Sequence, residues 1–234
     1  MISTRQEKLL TAIIKEYTAT AKPVSSSQLV DQERLDISTA TVRHDMVELE
    51  SDGWLQQPHT SAGRVPTEQA WRWFVKQVTP EFHLGKRAQE QLHQVTTERH
   101  ESDQEMLRQL AKTLAEIVDE TVLVAFDKTD TYYTGLSNLF QQPEFADIDM
   151  LQNLSRVVDH LDEVMSRLYE QVNDRVKVMV GKDNPFSNSC GTLLARYHFP
   201  ASQTGVLGIL GPLRQDYREH MAIMSYTQSL LQKL

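Results

Sequence analysis

The passage from Ser38 to Thr67 narrows the possible folds most, because a capped amphipathic helix there runs directly into two short extended runs around a turn. Ser38 is a helix-capping residue type and Gly53 a helix terminator, and between them Val42, Met46 and Leu49 form one apolar stripe. WLQQ, PHTSAG and RVP follow, extended runs around a Pro- and Gly-bounded loop that read as a β-hairpin. Upstream, Ser3 with Gln6 has the capping-box pattern. Leu9, Leu10, Ile13, Ile14 and Tyr17 then recur at helical spacing until Pro23 stops the run. Ser25 or Ser26 can cap a short second helix with Leu29, Val30 and Leu35, and Asp36-Ile37-Ser38 makes a tight connection to the third. Three helices, the last two joined by a very short turn, followed by a hairpin, is the plan of a winged helix-turn-helix domain. A fourth helix from Thr67 carries Trp71, Phe74 and Val78, with Trp71 and Trp73 read as packing residues.

The third helix can be read for what it shows outward. With Val42 at zero and about 100° per residue, Met46 falls near 40° and Leu49 near 340°, which marks the buried side. Ala40, Arg43, His44 and Val47 fall opposite, with Thr41 at the border. The outward N-terminal half is therefore small, hydroxylated and basic. Small residues permit close approach to a major groove, Arg can bond guanine bidentately, and Thr can touch a phosphate or a thymine methyl. Taken alone, a face with one Arg and one His is an ordinary solvated face. Joined to the turn before it and to His59, Thr60, Ser61 and Arg64 in the hairpin, it points to double-stranded DNA. The expected DNA-binding set is Ser38, Thr39, Thr41, Arg43, His44, His59, Thr60, Ser61 and Arg64.

Charge qualifies that expectation. The chain has 234 residues and a formal net charge of −8. Residues 1–80 hold nine Lys/Arg against ten Asp/Glu, so the acidity lies mostly in the remainder. A near-neutral DNA-binding domain relies on placed side chains rather than on bulk positive charge. The single cysteine, Cys190, fits a reducing compartment and reads as a small buried hydrophobe. The N-terminus lacks the apolar run of a signal peptide, and no stretch approaches a membrane span. A soluble cytoplasmic protein without a membrane partner is expected.

Residues 82 to about 105 are rich in Gln, Glu, His and Arg and read as a solvated helix or linker. Met106, Leu107, Leu110, Leu114, Ile117 and Val118 then restore an apolar stripe suited to the following domain or to a second copy of the chain. Beyond it, TVLVAF (121–126), TYYTGLSN (131–138), RVKVMVG (175–181), CGTLLARYHF (190–199) and GVLGILG (205–211) read as strands. A helix is expected over 149–172, and another opening at Pro212. The fold class is α+β, a winged helix over 1–80, a helical linker over 81–105, and an α/β domain with a mostly antiparallel sheet over 106–234. No catalytic or metal site emerges. Gly205, Gly208 and Gly211 do not form a phosphate-binding loop before a helix, and His83, His93, His100, His160, His198 and His220 lack metal-ligand spacing. Arg214, Asp216 and Tyr217 read as structural pins in the first turn of the last helix. Neither a cofactor nor enzymatic activity is expected.

The run ISTATVRHDMVELESDGWLQQPHTSAGRVPT resembles the N-terminal domain of the HrcA family of heat-inducible transcription repressors. GLSNLFQQPEF (135–145), VKVMVGKDNP (176–185) and GVLGILGPLRQDY (205–217) resemble later segments of the same family. The resemblance implies a homodimer that binds an inverted-repeat operator, named CIRCE, upstream of chaperone genes. It also implies a GAF-like C-terminal domain without catalysis, and repression assisted by the chaperonin GroEL. Induction would follow from heat unfolding of the C-terminal domain or from chaperonin being occupied elsewhere. Two departures stand out: His44 occupies a place where the family usually has Asn, and the dimerisation domain usually inserted between segments like 121–126 and 135–145 is missing. The 104–118 stripe is then the candidate dimer surface. Two further readings compete: a metabolite-responsive repressor with a ligand in the GAF-like domain, and a winged helix that binds protein.

Overall fold

The computed structural model describes residues 2–33, 38–60, 62–78, 84–145, 148–199 and 204–234. The chain divides into two compact units, residues 1–78 and 79–234.

In the first unit, α1 (Thr4–Thr20) begins with the full Ser3–Gln6 capping box. It ends at Ala21, whose left-handed backbone returns its N–H to Tyr17 before Pro23 is reached. α2 (Ser26–Glu33) and α3 (Thr39–Ser51) follow; the expected connection at 36–37, and Leu35, lie outside the described residues. α3 is capped by the Ser38 hydroxyl, which accepts from the Thr41 N–H. It closes in a paired turn: Gly53 at φ 78° donates to Glu50 C=O and Trp54 donates to Leu49 C=O. β1 (Leu55–Gln56) and β2 (Val65–Pro66) form the wing, and Val24 adds a third rung by exchanging both backbone bonds with Arg64. The rung explains Gly63, because a Cβ there would lie 2.4 Å from Val24 C=O. α4 (Glu68–Gln77) is capped by Thr67, which ties it to the end of α3 through a bond to Gly53 C=O. Leu9, Leu10, Ile13, Ile14, Leu29, Val42, Met46, Leu49, Leu55 and Trp71 make a dry core.

The second unit is a three-layer α+β domain around a five-stranded antiparallel sheet, in the order β4-β3-β7-β6-β5. Its helices and strands are α5 (Lys86–Thr97), α6 (Asp103–Val118), β3 (Thr121–Ala125), β4 (Thr131–Thr134), α7 (Leu136–Gln141), α8 (Ile148–Asp159), α9 (Leu161–Tyr169), β5 (Lys177–Val180), β6 (Cys190–His198), β7 (Thr204–Pro212) and α10 (Tyr217–Leu231). Strand alternation sorts the sheet's side chains. Leu123, Leu194, Val206 and Leu210 share a core with Leu139, Phe145, Leu161, Met165 and Leu168 from α7, the turn after it, and α9. On the other face, α6 packs on β3 and β4, and α10 packs on β6 and on α5.

Several sequence expectations change here. The segment expected as a solvated helix or linker contains α5, which buries Leu92 and Val95 and packs on α6 and α10 within the second unit. The expected strand 131–138 stops at Thr134, because Gly135 at φ 79° turns the chain into α7. The single helix over 149–172 is two helices, broken at His160. Pro212 ends β7 rather than opening the last helix, whose cap is Asp216. The 104–118 stripe is not free for a second copy: Met106, Leu107, Leu110, Leu114 and Val118 are all buried inside the unit. Cys190 is buried as expected, and burial pushes its thiol up to about 12.

One buried group opposes this packing. Glu120 lies between the end of α6 and β3 with its carboxyl over Gly211, where a Cβ would come within 2.4 Å of it. Its Oε2 has no hydrogen-bond partner among the described residues. Burial pushes its pKa up to about 9, Arg214 pulling down and Asp119 and Glu144 pushing up. A pKa raised from 4.5 in the open chain means stability intact below about pH 4.5 and progressively lost as pH rises toward 9. Glu120→Gln cannot ionise. Thermal melting of this variant is expected to exceed wild type by several degrees at pH 8, on the scale of about 2–4 °C per kcal/mol for a domain this large, and to approach it at pH 5. Equal melting at both pH values would refute a charge penalty at this position.

Candidate nucleic-acid interface

Helix α3 presents the expected residues on its outer side. Arg43 and His44 are exposed, and Val47 between them is 50% exposed, an unusual degree for an aliphatic residue in this structure. Ser38 and Ala40 are exposed, while Thr39 and Thr41 are half-buried at the edge of the same patch. Thr41 Oγ1 lies 2.9 Å from Ser38 Oγ, so its hydroxyl is already engaged at the helix start. Among the described residues Arg43 has no ion-pair partner.

The acidic residues of α3 are each held by a neighbour. Asp45 is completely buried, and Arg5 of α1 donates to it twice, Nε and Nη2 each at 2.7 Å. The same bonds raise the Arg5 pKa above its ordinary value. Glu50 takes Arg64 of the wing at 2.8 Å. Glu48 accepts from Gln6 at 2.9 Å and has His44 Nδ1 3.7 Å away. Two of the three carboxylates are thereby neutralised, and on α3 Arg43 is left without an ionic partner among the described residues. This pairing shows how a domain of near-zero net charge can still offer a positive outer face. His44, Asp45 and Glu48 lie close enough to share a cation, but both Asp45 oxygens are already bonded to the Arg5 guanidinium.

In the wing, His59 and Thr60 are exposed, and Ser61 lies outside the described residues. Gln57 braces the loop, its amide donating to Thr60 C=O and Ala62 C=O. Arg64 departs from its expected placement as an outward contact: its side chain is only 16% exposed and is spent on Glu50, so it joins the wing to α3. The structure therefore brings Ser38, Thr39, Thr41, Arg43 and His44 together on one helix and holds His59 and Thr60 on the wing. Sequence reading missed Asp45, Arg5 and Gln57. Asp45 carried a signal, since a carboxylate at about 300° on the helical wheel falls among the core positions and requires a partner.

Comparison with known proteins places these features. A family profile described as HrcA protein C terminal domain matches residues 76–221, and one for the DeoR-like helix-turn-helix domain matches residues 5–67. The heat-inducible transcription repressor HrcA of Halalkalibacterium halodurans is 22% identical over 336 aligned positions, covering 100% of this chain and 98% of that protein. The same repressor of Synechococcus elongatus is 40% identical over 126 positions, 53% of this chain and 36% of that protein. A crystal structure described as that of a hypothetical protein covers 100% of this chain and 98% of its own, with a TM-score of 0.80 at 18% identity, a likeness of fold. An alignment of 336 positions against 234 residues leaves about 100 positions of the longer relative without a counterpart here. In this chain β3 and β4 are joined by residues 126–130 alone.

The Arg5–Asp45 pair is open to a direct stability test. Only the Asp45 end of this pair is buried, so removing the half-exposed Arg5 leaves a buried carboxylate without its partner. Arg5→Ala is expected to lower melting of the first unit by about 5 °C or more, with Arg5→Lys in between because ammonium cannot reproduce the two-pronged bond. Arg5→Ala melting with wild type would show that Asp45 finds compensation elsewhere.

Proposed function

The chain belongs to the HrcA family and is a transcriptional repressor with a helix-turn-helix DNA-binding domain, and from that premise we propose that it acts as a homodimer on an inverted-repeat operator of the CIRCE type upstream of chaperone genes. The observation that carries this reading is the outer face of α3, with Arg43 uncommitted while its acidic neighbours are held by Arg5, Arg64 and Gln6. In the proposed complex the N-terminal half of α3 enters the major groove. Arg43 and His44 reach base edges, and Thr39, Thr41 and the Ser38 end of the helix meet backbone phosphate. His59, Thr60 and Ser61 of the wing add backbone contacts, and Arg64 holds the wing in place. Two such helices about 34 Å apart, or a multiple of that, would match an inverted repeat.

Repression is proposed to weaken on heating, as the second unit loses its fold or as chaperonin GroEL is drawn to other clients. This reading is supported by the names of the relatives, which are heat-inducible repressors. A gel shift on inverted-repeat and random DNA tests the core of it. Arg43→Ala is expected to weaken specific binding about 5- to 150-fold, the range of one good base contact, with melting unchanged. Arg64→Ala is expected to lower melting of the first unit as well. Operator binding that survives Arg43→Ala would remove α3 as the reading helix. Binding that persists above the heat-shock temperature with chaperonin absent would remove the proposed induction.

A further inference from the structure

The sheet of the second unit has two edges, and they are finished differently. β5 opens with exposed Lys177 and runs directly into the turn Gly181–Asp183. β4 reads Thr131-Tyr132-Tyr133-Thr134, without charge, proline or bulge, and among the described residues it pairs only with β3. Unpaired strand edges attract further strands, and proteins usually blunt them with such devices. Tyr133 and, on the next helix, Phe140 are each 37% exposed, among the few large hydrophobic residues left outside the core. The α6 stripe is already consumed by the unit's own core.

The hydrogen-bonding phase of β4 follows from its hairpin. Phe126 N–H donates to Asp130 C=O at 2.9 Å, which makes that pair hydrogen-bonded, and the ladder continues unbroken to Val122 opposite Thr134. Alternation then turns the backbone groups of Tyr132 and Thr134 toward β3 and those of Thr131 and Tyr133 outward. A second antiparallel β4 satisfies all of these outward groups when Thr131 faces the second copy's Tyr133 and the reverse. Four bonds form around an axis through Tyr132. Placing Tyr133 opposite itself would instead set Thr131 against Gly135, whose left-handed backbone has already left the strand. The Arg108 side chain of α6 reaches to Tyr132 at this axis, its guanidinium 5.6 Å from the Tyr132 ring and 5.5 Å from the Phe126 ring. Exposed Glu105, which accepts from the Glu101 N–H, and exposed Lys112 lie about one turn to either side of Arg108, opposite charges that a two-fold axis would set in reversed order on the second copy.

We propose that two copies of this chain join edge to edge through β4, antiparallel with Tyr132 at the axis, and form one continuous ten-stranded sheet. The inference rests on the dimeric reading above and assigns its surface. Sedimentation of the full chain, with melting in parallel, tests it. Tyr133→Pro removes an outward N–H and spares the ladder to β3, where Tyr133 makes no bond; dimerisation is expected to weaken at least tenfold with melting unchanged. Tyr132→Cys places two thiols across a non-hydrogen-bonded pair, within disulfide reach, and is expected to cross-link under mild oxidation while buried Cys190 does not. If Tyr133→Pro unfolds, the cross-link alone decides. A wild-type dimer that Tyr133→Pro leaves intact, or that Tyr133→Cys links and Tyr132→Cys does not, overturns this inference and leaves the dimeric reading standing. A monomeric wild type overturns both.

Discussion

The buried carboxylate of Asp45 governs how α3 can sit. A charge at zero exposure is tolerable only with close, well-aligned partners, and Arg5 supplies two bonds from the first turn of α1. The pair sets α3 against α1 more specifically than the apolar stripe of Val42, Met46 and Leu49, which would accept small slides. It also removes one negative charge from the helix that carries Arg43. Arg64 does the same for Glu50 while joining the wing to α3, so the positions of helix and wing are coupled through charge, and the Val24–Arg64 rung ties the wing to the segment before α2.

The second unit is governed by its sheet. Strands β3, β7 and β6 are buried on both faces, which is why their sequences read as nearly continuous apolar runs. Covering both faces uses the apolar stripes of α6, α9 and α10. Helix α6 therefore turns inward, leaving the unblunted edge at β4 as the unit's open feature. Glu120 shows the opposite tendency, a carboxyl enclosed at the junction of α6 and β3 with too few partners. It makes the unit less stable as pH rises than its apolar packing alone would leave it.

Much of the first unit was legible because its signals are local. The Ser3–Gln6 capping box, the Ser38 cap, the stop at Gly53 and the helix start at Thr67 each act within a few residues, and each is found in place. Several of the errors came where the decisive contact is distant in sequence. Residues 86–97 look polar, yet Leu92 and Val95 suffice to dock α5 once α6 and α10 are beside it. Arg64 looked like an outward cation until Glu50, fourteen residues earlier, was brought next to it. The break at His160 interrupts a run whose apolar spacing continues through it, so periodicity could not reveal it.

The sequence by itself determined the order and type of most elements, the face of α3 that stays exposed, and the kinship with heat-inducible repressors. Those properties follow from cap chemistry, from the 3.6- and 2-residue periods, and from motif runs, all readable along the chain. Tertiary structure decided which charges remain available and which apolar surface remains unpaired. Both depend on what is brought alongside: Arg5 and Arg64 quench two of the three acids of α3, the sheet absorbs α6, and β4 is left at an edge. Spacing along a chain shows what a residue can do, and only its neighbours in space settle whether it is already engaged.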